Sequence, residues 1–234
     1  MSNESTKTRA IRPSDFEEKY LKGKVIDIGG GIDPVTTNSE VFDLEDGDAQ
    51  HILQYREAAS YDAVHSSHCL EHMKDVPAAL KQWWDLVRTG GYMIIVVPHE
   101  DLYEQSMWPP IFNSDHKATF RINKQESWSS VSYDLYQLAN ELPNAEIIET
   151  VIHDQDYDYN IQGGKFNSTL RKIYKWNYSN SSIKKNIAST LYKLLYNKFY
   201  KHGNNNKGLP VDQTRWNALA QIQIIIKKTL HSSP

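Results

Sequence analysis

Cysteine occurs once in the 234 residues, at Cys69. No internal disulfide can therefore form, a reducing compartment is compatible, and no paired cysteines are at hand for a structural metal site. No apolar run approaches the roughly twenty residues a membrane span needs, and the polar opening Met1 to Ala10 has no hydrophobic stretch suited to a signal peptide. A cytoplasmic protein with no membrane span is the expectation. Between Tyr159 and Val211 there is neither aspartate nor glutamate, although the same segment carries ten of the 26 basic residues, and the whole chain has a formal charge of -3. A basic appendage thus rides on an acidic body. It could attract a phosphorylated or nucleotide-linked substrate, an acidic polymer or anionic lipid, or dock on the body itself or on a second subunit of a homo-oligomer. There is no internal repeat. The remaining composition, 39% apolar and 24% charged, suits one α/β domain with an elaboration.

The most telling segment is Lys24-Val25-Ile26-Asp27-Ile28-Gly29-Gly30-Gly31-Ile32-Asp33-Pro34. Valine and isoleucine favour a buried strand, and glycines after it let the chain take φ > 0 while a ligand lies against the main chain. A dinucleotide fingerprint G-x-G-x-x-G would need its third glycine where Pro34 stands, which argues against a nicotinamide-dependent reductase. A second short strand, Val41-Phe42-Asp43, ends in a carboxylate able to accept two hydrogen bonds at once. Asp46-Gly47-Asp48-Ala49 follows, then Tyr61 to His72 as a strand and turn. Ala78 to Val87 has the spacing of an amphipathic helix, Arg88-Thr89-Gly90-Gly91 reads as its stop, and Tyr92 to Pro98 reads as a buried strand.

In this order, from about Lys24 to Val97, the chain resembles the class I S-adenosylmethionine-dependent methyltransferases, of the type 11-like kind. The resemblance implies a Rossmann-like α/β fold with strand order 3-2-1-4-5-7-6, its N-terminal half abbreviated, and S-adenosylmethionine as cofactor. It implies cofactor contacts from Asp27, Gly29, Gly30, Gly31, Asp43, Leu44, Asp48, Ala49, Ser66, Ser67 and His68, with Asp43 at the ribose and Asp48 at the adenine amino group. Only nine residues separate Gly31 from Val41, fewer than the ten to twelve or so of a helical crossover. The first helix is accordingly vestigial or lost, and Asp43 and Asp48 stand so close together that the third strand is in question.

Residues 1 to 10 read as disordered, Asp15 to Leu21 as a short helix, Lys124 to Glu141 as a helix, Glu146 to His153 as the sixth strand and Ala218 to Ile226 as the last. The domain plan is a single methyltransferase domain over 1–234, an aromatic-rich active-site loop over 99–122 and a basic helical insertion over 160–211. Within the insertion Ile187, Leu191, Leu194, Leu195 and Phe199 recur at helical spacing.

Methyl transfer needs alignment and exclusion of water more than covalent machinery. An aliphatic hydroxyl has a pKa far above neutrality, so a general base or metal helps. In an open α/β sheet such a base projects from loops beyond the C-terminal strand ends. His116, in Asn113-Ser114-Asp115-His116-Lys117, is the first candidate base, and His72 the second. His65, His68 and His72, with Glu71 and His99-Glu100-Asp101, raise a metal reading, but His65 and His68 should face opposite ways, so no metal is assigned. The passages Asp101 to Gln105 and His116 to Phe120 resemble methyltransferases associated with bacterial surface-glycan synthesis, which implies O-methylation of a small polar acceptor such as an activated or phosphorylated sugar. Two rivals stand beside it. One is a catalytically silent cofactor-fold protein that binds a partner through the basic insertion. The other is a nucleic-acid methyltransferase, which Ser66-Ser67-His68-Cys69 in place of Asn/Asp-Pro-Pro-aromatic and a pI near 6.3 disfavour.

Overall fold

The computed structural model describes residues 4–162, 172, 173, 176, 181–200 and 210–230. Part of the basic insertion, including Lys165, Arg171, Lys175, Lys201 and Lys207, lies outside the described residues. Six strands form the main sheet in the order β2-β1-β3-β4-β8-β7: β1 (Val25–Ile28), β2 (Glu40–Phe42), β3 (Tyr61–Ser67), β4 (Val87–Pro98), β7 (Ala145–His153) and β8 (Gln221–Lys228). The first four run parallel, and β8 lies antiparallel between β4 and β7. The pattern of buried residues follows the two-residue period of the strands. Ile26, Ile28, Val64, Met93, Ile95 and Val97 enter one core layer, while Val25, Ala63, Ile94 and Ile225 enter the layer on the other face.

The first layer is covered by α3 (Val76–Leu86), which Asp75 starts by accepting the Ala78 N–H at 3.1 Å. This helix buries Trp83 and Trp84 completely, and their indole N–H groups donate to the carbonyls of Ala49 and Pro143 at 2.8 and 2.9 Å. Truncating either tryptophan to alanine should cost about 3–5 kcal/mol. Two turns of 3-10 helix, Ala49–Gln54 and Leu70–His72, follow β2 and β3 at the C-terminal edge of the sheet.

Several expectations need correction. Residues 4–11 are not disordered: Glu4–Ile11 form α1, ahead of α2 (Phe16–Tyr20). Its polar sequence hides a buried Thr8, whose hydroxyl donates to Glu4 O at 2.9 Å and accepts from Gln221 Nε2 at 2.8 Å. Arg88 to Gly91 do not stop a helix. They bulge out of β4, where pairing jumps from Tyr61–Val87 to Ala63–Tyr92, and a Cβ on Gly91 would lie 2.5 Å from the Asp62 carbonyl. The helix expected over 124–141 shrinks to α4 (Leu135–Asn140), because Ser132–Asp134 form β6 and pair with β5 (Thr119–Arg121). The main sheet has no counterpart of the expected third strand among the described residues. Asp43 instead leads into a turn, its carbonyl accepting from Asp46 and Gly47 N–H. Parallel β1 and β2 are joined by residues 29–39 without a helix. In the basic segment, Ser182–Tyr200 form α5. No helix among the described residues is long and apolar enough to cross a membrane.

Candidate active site

The glycine turn leaves β1 at Gly29, with φ of +77° there and +51° at Gly31, values that suit glycine and few other residues. A Cβ on Gly29 would come within 2.7 Å of Cys69 Cβ. Beneath the turn sits Asp27, fully buried. Its Oδ2 accepts the Val35 N–H at 2.6 Å, and its Oδ1 lies 2.6 Å from His65 Nδ1. On the far side of that ring, Arg12 Nη2 lies 3.1 Å from His65 Nε2. A guanidinium can only donate, so His65 Nε2 accepts and Nδ1 carries the proton given to Asp27. Burial lowers the His65 pKa, against the pull of Asp27, and lowers that of Arg12 to about 10. Asp27 therefore braces the turn from below, rather than facing the cleft as a cofactor contact would.

Above the turn is a cavity of about 290 Å³ lined by Gly29, Phe42, Asp43, Leu44, Gly47, Asp48, Ala49, His68, Cys69, His72, Met73 and Asp115. Seven of the expected site residues meet there, at the ends of β1, β2 and β3. Asp43 Oδ1 accepts the Leu44 N–H at 2.8 Å, while a Cβ on Gly31 would stand 3.5 Å from Asp43 Oδ2. Asp48 caps the first 3-10 helix, with Oδ1 accepting the Gln50 N–H at 2.9 Å and Oδ2 3.2 Å from His51 Nδ1. These contacts hold its pKa below the usual carboxylate range. Gly30, Gly31, Ser66 and Ser67 are not among the lining residues. Ser66 turns inward and donates to Ile28 O at 3.0 Å, tying β3 to β1. Burial pushes the Cys69 thiol up to about 12, which keeps it protonated and unreactive.

A second cavity, of about 550 Å³, adjoins the first and shares His68 and His72 with it. Glu71, His116, Tyr103 and Phe112 line it, together with Glu4 from α1 and Asp212, Thr214 and Arg215 from the turn before β8. The segment 99–122 is stapled over the 3-10 turn, since Lys117 and Ala118 N–H both donate to Glu71 O, at 2.7 and 3.2 Å. That seats His116 edge-on to His72, ring centroids 5.1 Å apart. Each imidazole has its Nδ1 beside a carboxylate: His116 at 2.6 Å from Glu104 Oε1, and His72 at 2.9 Å from Asp115 Oδ2. Asp115 therefore serves His72 and not its sequence neighbour. Burial raises the Glu104 pKa, with His116 opposing.

His68 takes a left-handed backbone, φ +55°, at the mouth of both cavities, a strained conformation for a residue with a side chain. Its Nε2 is 2.9 Å from Gln221 Oε1, and its Nδ1 is 3.5 Å from Glu71 Oε1. Burial lowers the His68 pKa, but Glu71 and Gln221 outweigh it and the net shift is upward. For Glu71 burial works upward, and the facing imidazoles of His68, His116 and His72 bring the net shift below the usual range. The sequence raises Glu71 only within a metal reading that assigns no metal, and gives Glu104 no role. The Leu-Glu-His turn could have flagged the first, whereas nothing local marks the second.

Residues 9–123 match a family described as a methyltransferase domain. Among solved structures, a SAM-dependent methyltransferase from Thermotoga maritima, described as a possible histamine N-methyltransferase, is 14% identical, with a TM-score of 0.48 over 97% of this chain and 88% of that one. A putative methyltransferase from Bacillus halodurans C-125 is 14% identical, with a TM-score of 0.47 over 89% and 94%. A SAM-dependent methyltransferase from Archaeoglobus fulgidus is 17% identical, with a TM-score of 0.46 over 97% and 95%. No curated protein matches the chain.

Proposed function

We propose that this chain is an S-adenosylmethionine-dependent methyltransferase that acts on a hydroxyl of a small polar acceptor, an activated or phosphorylated sugar of the kind used in surface polysaccharide assembly. The observation that carries the reading is the meeting of two cavities at His68 and His72, one walled by the glycine turn and two acids, the other by paired imidazoles and aromatic rings. The first suits the cofactor. Its lining has no lysine or arginine to call for a phosphate, carboxylates at Asp43 and Asp48 for hydroxyl and amino groups, and Phe42 and Met73 for apolar faces. When bound, S-adenosylmethionine supplies a methyl group on positively charged sulfur, which an acceptor oxygen displaces.

In this reading His116 and His72 activate the acceptor hydroxyl. Each has its Nδ1 beside a carboxylate, which leaves Nε2 free to take a proton. Tyr103 and Phe112, in edge contact at 5.7 Å between centroids, offer ring faces to a sugar, and Glu4 and Asp212 offer acceptors to its hydroxyls. Arg215 at the rim supports an anionic substituent. Residues 99–122 act as the active-site loop and 160–211 as a basic insertion that draws in anionic acceptors.

Calorimetry with S-adenosylmethionine and its demethylated product tests the first half, and the expected result is one binding event per chain for each. Transfer of labelled methyl to a panel of free, phosphorylated and nucleotide-linked sugars tests the second. Turnover only with amines, or only with nucleic acid, would overturn the acceptor class.

A further inference from the structure

The base assignment leaves one side chain without a purpose. Glu71 is 1% exposed, and neither of its oxygens has a hydrogen-bond partner among the described residues, the nearest group being His68 Nδ1 at 3.5 Å from Oε1. A buried carboxylate without hydrogen bonds costs several kcal/mol or so unless something positive meets it. What faces it is peculiar. His116 Nε2 lies 3.9 Å and His72 Nε2 4.0 Å from the same Glu71 oxygen, too far for hydrogen bonds. In both rings the other nitrogen points at a carboxylate, Glu104 or Asp115, which fixes the proton on Nδ1 and turns the Nε2 lone pair inward. Beside the His68 ring, two lone pairs and the carboxylate oxygen therefore converge with no proton between the three.

We infer that Glu71, His72 and His116 together bind a divalent first-row metal ion at the boundary of the two cavities. All three donor atoms lie within 4.8 Å of one another, and donors on a bound zinc stand about 3.4 Å apart, so a modest inward movement closes the site. Each imidazole backed by a carboxylate is the outer arrangement that metal-binding histidines use to fix tautomer and raise basicity. Two imidazoles and one carboxylate select zinc, cobalt, iron or manganese over magnesium, which prefers oxygen and water. Three protein ligands leave open positions toward the second cavity, where an acceptor hydroxyl would be bound and made more acidic.

The inference deepens the acceptor reading and rests on it for the purpose of the ion, though not for its binding. With the ion bound, His72 and His116 are ligands, and they act as bases only in the metal-free protein.

The test is calorimetric titration of the full chain, freed of metal by chelation, with Co²⁺ and Zn²⁺, alongside visible absorption of the Co²⁺ form. One Co²⁺ per chain is expected, with the bands of nitrogen and oxygen ligation and displacement by Zn²⁺. Glu71→Gln and His72→Ala should each weaken binding at least about tenfold. Circular dichroism melts confirm that the variants fold, and His72, a partly exposed residue, gives a second route if the Glu71 variant does not. No stoichiometric binding, or binding that both variants leave unchanged, would overturn the inference. S-adenosylmethionine titrations on the same samples separate the two claims. Cofactor binding without Co²⁺ binding removes the metal and leaves the base reading, while Co²⁺ binding without cofactor binding does the reverse.

Discussion

The two cavities share a wall but are built by different means. The proposed donor side draws mostly on three stretches close in sequence, Gly29, residues between Phe42 and Ala49 and residues between His68 and Met73, with Asp115 added from the distant loop. The acceptor side is made of side chains from four distant segments, with Glu4, Glu71, His116 and Asp212 meeting only in the folded protein. A turn shaped by glycines leaves few ways to err, because its form follows from φ values that other residues avoid. A cluster of charged side chains has to be held by second partners, and here Glu104, Asp115 and Gln221 hold the three histidines. The lesson is that cofactor binding and turnover should be separable by mutation.

The sharpest way to break that separation is His116→Ala. Turnover should fall about 10²- to 10⁴-fold, with the affinity for S-adenosylmethionine essentially unchanged by calorimetry. A matching loss of cofactor affinity would merge the two sides into one.

Acid should destabilise the fold through a histidine behind the wall that the two cavities share. His153, at the end of β7, is buried, and its Nδ1 accepts from Gln221 Nε2 at 3.1 Å. The same glutamine holds His68. Burial lowers the His153 pKa to about 4. A histidine whose folded pKa lies below its unfolded value stabilises the fold fully above pH 6.5 or so, and that contribution is lost as the pH falls toward about 4. Stability to urea should drop by up to about 3 kcal/mol across that window, and His153→Gln should flatten the drop.

Gly29→Ala probes the donor side. A left-handed alanine costs roughly 1–2 kcal/mol, and its Cβ would meet Cys69. Cofactor affinity should weaken tenfold or more, roughly in line with that cost, while Co²⁺ binding persists. Smallest is Asp43→Asn, which keeps the shape and one acceptor oxygen but removes the charge. A loss of about tenfold in cofactor affinity is expected, and an unchanged value would remove Asp43 from the ribose.

The same contrast explains what could be read from the sequence. That Gly29, Asp43, Asp48 and His68 share one cavity was legible because strand, turn and acid follow one another within a few residues. The missing helix between β1 and β2 was legible from spacing alone. Glu104 as the partner of His116 was not, since a residue twelve positions away on an irregular loop carries no periodic signal. Asp27 was given to the cleft because an acid before a glycine turn looks like a contact, and only its hydrogen bonds to Val35 and His65 show that it supports the turn. Helix α1 was missed because its amphipathic signal is weak, and tertiary partners hold it in place: Asp33 and Pro34 through Arg9, and Gln221 through Thr8.

Those partners have a consequence for how the protein comes into being. Thr8 grips Gln221 and Arg12 grips Gln223, while Lys7 reaches the carbonyl of Thr214. During synthesis α1 emerges 213 positions ahead of Gln221, the partner of Thr8, and waits for the chain between them before it can settle. Until β8 has been made and threaded between β4 and β7, the nascent molecule can have its glycine turn but not its acceptor chamber. A chain halted short of Asp212 would lack one wall of the second cavity, Asp212, Thr214 and Arg215, together with the strand that joins β4 to β7.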